Sequence, residues 1–115
     1  MNDYMDLSQL SGADKEKIGN YLGLAQKAGK IAAGDAAVQA AFKDKKTCLI
    51  FLASDAAQKV IDDLAKALEK RSLPVMIVAD KSQLGLWVGK SHRGSLALKD
   101  QGFANAILKY CEKFL

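Results

Sequence analysis

Two short apolar runs bracket an amphipathic stretch, and this arrangement constrains the fold more than any other feature of the chain. Cys48-Leu49-Ile50-Phe51-Leu52-Ala53 is continuous and bounded, the pattern of a strand buried on both faces. Val75-Met76-Ile77-Val78, directly after Pro74, is a second such strand. Between them Val60, Ile61, Leu64, Ala65 and Leu68 recur at helical spacing. Acidic residues come early in that stretch and Lys70-Arg71 close it, as the helix dipole favours, while Ser54-Asp55 supplies an N-cap signal. Strand, crossover helix and strand in this order predict a parallel pair covered by helices.

The alternation extends to both sides. Asp14 opens a helix over residues 15–28 with Ile18, Leu22 and Ala25 on its inner face, and Gly29 ends it. Residues 31–33 form a short extended piece, Gly34-Asp35 starts a second helix striped by Ala37, Val38, Ala41 and Phe42, and Lys43-Asp44-Lys45-Lys46 is a polar turn. Asp80 caps a short helix containing Leu84, Trp87 and Val88 that closes near Gly89, and residues 94–98 are a last strand. Asp100 or Gln101 starts a final helix with Phe103, Ala104, Ile107, Leu108 and Cys111 inward. The order αβαβαβαβα predicts an α/β fold, a three-layer α/β/α sandwich around a small parallel or mixed sheet. One domain over 1–115 is expected, with 1–13 a flexible or loosely packed N-terminal segment. At 115 residues, half of them hydrophobic, such a domain can bury a core without disulfide or metal staples. Its apolar runs fall far short of the ~20 residues a membrane helix needs, and the N-terminus has no secretory pattern. A soluble, cytoplasmic monomer with no membrane partner is expected.

Enzyme signatures fail one by one. Gly85-Leu86-Trp87-Val88-Gly89-Lys90-Ser91 has three residues between its glycines where a P-loop needs four, and it leads out of a helix rather than into one. No GxGxxG occurs. His92 is the single histidine, and Cys48 and Cys111 lie far apart in apolar surroundings, so no zinc spacing or activated thiolate emerges. Asp62 and Asp63 are adjacent, about 100° apart around a helix, and do not converge. No catalytic residue, metal or cofactor is expected.

The charge is lopsided instead. Residues 1–80 hold eleven basic and eleven acidic side chains, whereas residues 81–115 hold six basic and two acidic ones, so the net +4 lies in the last third. An excess of this kind suits an anionic partner.

Several segments in series carry a resemblance: Leu22-Gly23-Leu24-Ala25-Gln26-Lys27-Ala28-Gly29-Lys30-Ile31, Gly34, residues 49–55, Leu73-Pro74-Val75, Leu84-Gly85 with Val88-Gly89-Lys90, and Asp100-Gln101-Gly102-Phe103-Ala104. Over roughly residues 17–110 the chain resembles the ribosomal-protein family of the L-seven-Ae and L-thirty-e type, and within it the small bacterial proteins of the YlxQ kind. The resemblance implies a mixed four-stranded sheet and a role in binding kink-turn or other structured RNA, on the ribosome or elsewhere. It places the contact surface at residues 30–40 and 78–84, with Lys46 near a basic position. On that basis Lys30, Gly34, Lys46, Lys81, Lys90 and Arg93 are expected to meet phosphate and backbone, and Ser82 and Gln83 to add polar contacts. Where ribosomal members carry an Asn-Glu pair and a Lys that contact the RNA, this chain has Ala36, Ala37 and Ala40. The alternative is a protein-interaction module, with the alanine-rich second helix as a smooth patch for a partner.

Overall fold

The computed structural model describes residues 4–115. In chain order it has β1 (Tyr4–Asp6), α1 (Gly12–Lys27), β2 (Ile31–Ala33), α2 (Asp35–Ala41), β3 (Leu49–Leu52), α3 (Gln58–Lys70), β4 (Val75–Ile77), α4 (Lys81–Trp87), β5 (Ser95–Leu98) and α5 (Gln101–Cys111), with a 3-10 turn at Glu112–Phe114. The sheet runs β1-β4-β3-β5-β2; β4 is parallel to β1 and β3, and β5 is antiparallel to β3 and β2.

The sheet therefore has five strands, not four, and the chain opens on a strand rather than a helix. Tyr4–Asp6 pair in parallel register with Val75–Ile77, and Leu7 follows them into the core at 5% exposure. The segment expected to be flexible thus supplies an edge strand from residue 4 on; residues 1–3 lie outside the described residues.

Alternation along the central strands explains why both faces are covered. Leu49 and Phe51, Met76, Leu96 and Leu98 pack on one side with Ile18, Leu22 and Ala25 of α1, Leu84 of α4 and Ile107 of α5. Ile50 and Leu52, Val75 and Ala97 point to the other side, against Val38 of α2 and Leu64 and Leu68 of α3. Helices α1, α4 and α5 form one layer and α2 and α3 the other.

Caps set the helix starts. Ser11, not Asp14, caps α1: the Asp14 amide donates to Ser11 Oγ at 3.2 Å, and Ser11 Oγ donates back to Asp14 Oδ2 at 3.0 Å. The Ser54-Asp55 signal belongs to a different place. Helix α3 starts after Ala57 with no side-chain cap, and Asp55 instead accepts from the Lys81 amide at 2.8 Å. Parallel β3 and β4 end side by side, which brings Asp55 to the start of α4.

Tyr110 Oη donates to Asp14 Oδ1 at 2.7 Å, tying α5 to α1. That bond holds the Asp14 carboxyl below its usual value and, from the other side, pushes the Tyr110 phenol up to about 12. The depressed carboxyl adds stability above the ordinary aspartate range and loses it as pH falls through its folded value. The raised phenol favours the fold below about pH 10, where the unfolded phenol is still protonated, and loses that contribution as pH climbs towards 12. Tyr110→Phe should move the acid limb of the stability curve to higher pH, as followed by circular dichroism. It should also remove the phenolate absorbance step near pH 12. An unchanged acid limb and a surviving step would show that the pair does not form.

Candidate functional site

The carboxyl ends of β3 and β4 meet the start of β5 and the end of β2, and most of the sequence-derived residues converge there. Gly34 donates its amide to Ser95 O at 2.9 Å, and the Ala53 amide donates to Gly94 O at 2.9 Å. The Arg93 amide donates to Lys81 O at 3.0 Å, so the loop leaving α4 returns to that helix's own N-terminus. Gly34 has φ +97 and ψ 160, a backbone region open in practice to glycine alone. The Arg93 stem lies against it: a Cβ on Gly34 would sit 3.3 Å from Arg93 Cδ. Arg93 Nη1 donates to Ser91 Oγ at 2.8 Å and to His92 O at 3.0 Å, which fixes the guanidinium over the rim. Lys81 and Gln83 are half-buried on the first turn of α4, and Ser82 is exposed between them.

Acidic groups at this rim are already engaged. Asp80 Oδ1 accepts from the Gln83 amide at 2.8 Å while Asp55 takes the Lys81 amide, so two of the free N–H groups of α4 are capped. Asp35, the first residue of α2, lies 3.6 Å from Lys59 Nζ, which also bonds Asp63 Oδ2 at 2.6 Å. Burial raises the Asp35 carboxyl, and the neighbouring Asp63 raises it further. One lysine between two carboxylates offsets only part of their negative charge beside Gly34.

Three candidate residues lie elsewhere. Lys90 sits on the return loop, its amide donating to Gly85 O at 2.8 Å, partway down α4. Lys30 precedes β2, and its carbonyl accepts from the Lys99 amide at 2.8 Å at the opposite end of the sheet. Lys46, in the turn before β3, is at that same far end, because Cys48 donates to Leu98 O. Arg71 holds this turn: Nη1 donates to Asp44 O, and Nη2 donates to Lys45 O and Thr47 O, each at 2.9 Å. Sequence reasoning placed Arg71 only as a dipole partner at the end of α3. The available signal was compositional, since Arg71 and Arg93 are the only arginines among seventeen basic residues. Arg71 captures three carbonyls with a fork that lysine lacks.

Burial pushes the Cys111 thiol up to about 11 and also raises Cys48, so both are protonated at neutral pH. His92 is exposed. Among the described residues no group of three or more His, Cys, Asp or Glu is arranged to hold a metal ion. No helix among them is long and apolar enough to cross a membrane. A groove of about 690 Å³ between α1 and α4 is lined by Gly19, Leu24, Lys27, Gln83, Leu86 and Trp87 among others. Trp87 is half-buried and packs on Gly19, where a Cβ would lie 2.3 Å from its indole Nε1.

With these positions known, comparison with other proteins becomes informative. Residues 16–108 match the model of the ribosomal protein L7Ae/L30e/S12e/Gadd45 family. The chain belongs to that family. RNA-binding protein YlxQ of Bacillus subtilis is 30% identical over 87 residues, covering 76% of this chain and 87% of that protein. RNA-binding protein YlxQ of Enterococcus faecium is 24% identical over 103 residues, covering 90% and 99%. Among solved structures, a protein of unknown function from Bacillus halodurans C is 29% identical with TM-score 0.74, covering 82% of this chain and 95% of that one. A 15.5 kD RNA-binding protein of Giardia lamblia shares the fold at TM-score 0.73 and 17% identity, covering 90% and 89%. On α2, Ala36 and Ala40 are exposed and Ala37 is half-buried, so its outer face presents methyl groups.

Proposed function

We propose that this protein binds structured, bent RNA, ribosomal or ribosome-associated, and acts on it by binding rather than by catalysis. The observation that carries the reading is the meeting of the glycine start of α2 with Arg93 and the first turn of α4 at one rim. Gly34 allows a phosphate backbone close approach, Arg93 and Lys81 supply cationic contacts at the rim, Lys90 adds one from the return loop partway down α4, and Ser82 and Gln83 supply neutral donors. Family membership and the RNA-binding names of the YlxQ relatives support it. The alanines of α2 offer no hydrogen bonds to base edges, so recognition rests on backbone shape. Lys30 and Lys46, at the far end of the sheet, reach an RNA only if it runs the length of α2.

The test is a titration of a kink-turn RNA and a plain duplex of equal length across a salt series. Both should bind with affinity that falls steeply as salt rises, the bent RNA more tightly. Arg93→Ala should weaken both and lower the slope of log K against log salt by about 1. Binding to neither RNA, or binding indifferent to salt, would overturn the reading.

A further inference from the structure

We propose that the groove between the C-terminal halves of α2 and α3 is a second phosphate site, one that extends the RNA track from the rim along α2. The inference rests on the RNA reading above. The groove encloses about 280 Å³ and is ringed by Lys43 from the end of α2 and Lys66, Lys70 and Arg71 from the end of α3, over Phe42; no carboxylate lines it.

None of the four cations in this ring is in a salt bridge within 4 Å among the described residues. Lys43, Lys66 and Lys70 are exposed, and among the described residues the salt bridges within 4 Å all involve Lys59. Lys66 acts on Asp63 only as a longer-range charge. Arg71 spends its donors on the carbonyls of Asp44, Lys45 and Thr47, neutral acceptors that leave its positive charge unopposed. Gln39, in the same lining, has a buried Nε2 with no hydrogen-bond partner, a donor without an acceptor.

The seam between α2 and α3 is polarised as a whole. Its N-terminal half gathers Asp35 and Asp63 around the single Lys59, and its C-terminal half gathers the four cations. The helix dipole accounts for Lys70 in the last turn of α3. It does not account for Lys43, which comes from another helix, or for the lack of an acid among them. An anion therefore settles at the C-terminal half.

Helix α2 joins this groove to the rim. Its seven residues span about 10 Å, and the exposed Ala36 and Ala40 keep side-chain bulk off the path between them. A phosphate backbone following α2 from Arg93 would reach Lys43 and Lys66.

The full-length chain carrying Lys66→Gln and Lys70→Gln tests this in the same salt series with the same kink-turn RNA. Both lysines are exposed on a helix, so folding should persist, as far-ultraviolet circular dichroism would verify. The double variant should lower the salt slope by about 2 and weaken binding roughly tenfold or more at low salt. Lys17→Gln with Lys109→Gln, an equal charge loss on α1 and α5, should leave the slope as it is. A slope and affinity unchanged by the α3 pair, with Arg93→Ala still damaging, would overturn the groove and spare the RNA reading. Equal losses from both double variants would also overturn it, by reducing the effect to net charge. If the wild-type chain bound neither RNA, the RNA reading and this extension would fall together. Inorganic phosphate shifting the Gln39 side-chain amide resonances would then assign the groove to a free anion.

Discussion

Gly85→Ala should destabilise the protein by about 2–3 kcal/mol, even though alanine is the better helix former. A Cβ at position 85 would lie 2.0 Å from Ser91 O, 2.7 Å from Ser91 C and 3.0 Å from Lys90 O. All three are backbone atoms of the loop that returns to the rim, and a carbonyl cannot swing aside as a side-chain tip can. The propensity gain from glycine to alanine is only about 1 kcal/mol, so the clash decides the sign. Because the loop is held to α4 by Lys90 N to Gly85 O and Arg93 N to Lys81 O, displacing it should also shift Arg93 and weaken RNA binding. Gly12→Ala is the matched control: nothing lies within 4 Å of its Cβ position, and it should be neutral or slightly stabilising. Urea melts of the two variants check this. A Gly85→Ala protein as stable as the parent would mean that the loop does not pack where the structure puts it.

Arg71→Ala should cost about 3 kcal/mol. Hydrogen bonds to a charged donor are worth about 1.5–3 kcal/mol each, and sharing one guanidinium makes the three carbonyl bonds less than additive. Thr47, which carries one of those carbonyls, is 2% exposed, and its Oγ1 donates to Ala41 O at 2.9 Å, so little water reaches that carbonyl to replace the lost donor, while the Lys45 carbonyl lies at an exposed site. Arg71→Lys keeps the charge but not the fork, and should recover less than half of the loss. Full recovery by lysine would reduce the clamp to simple electrostatics. Thermal melts of the three proteins separate the cases.

The parts legible in the sequence are those where burial writes a period into the chain. Strands β3 and β4 show as apolar runs because helices cover both faces, and Leu64 and Leu68 of α3 fall where helical spacing puts them. Strand β1 left no trace, because three residues, none of them fully buried, are too short to carry a period and its pairing with β4 is a tertiary choice. The Ser54-Asp55 pair has the chemistry of a cap, but only strand order shows which helix it serves. The candidate site was legible at residues close to glycine turns, such as Gly34, Lys81 and Arg93. That Lys30 and Lys46 sit at the other end follows because each precedes a strand, β2 or β3, that runs in the direction of β1 and β4, with only β5 reversed, and residue types do not encode strand direction. The carbonyl clamp of Arg71 was illegible for a related reason, since its partners come from the turn before β3, on the far side of a crossover.

β1 pairs only with β4, β2 only with β5, and β3 lies between β4 and β5, so no two of the first three strands touch. A ribosome delivering the chain from its N-terminus releases three strands before any has a neighbour. The first ladder waits for Val75–Ile77, and β2 is captured only when Ser95–Leu98 emerges, on the order of several seconds after its own synthesis. Folding is therefore a late event that needs nearly the whole chain. A product truncated before β5 would have a sheet without the strand that joins β2 to β3, with the half of the rim built on Gly34 detached from the half built on Lys81.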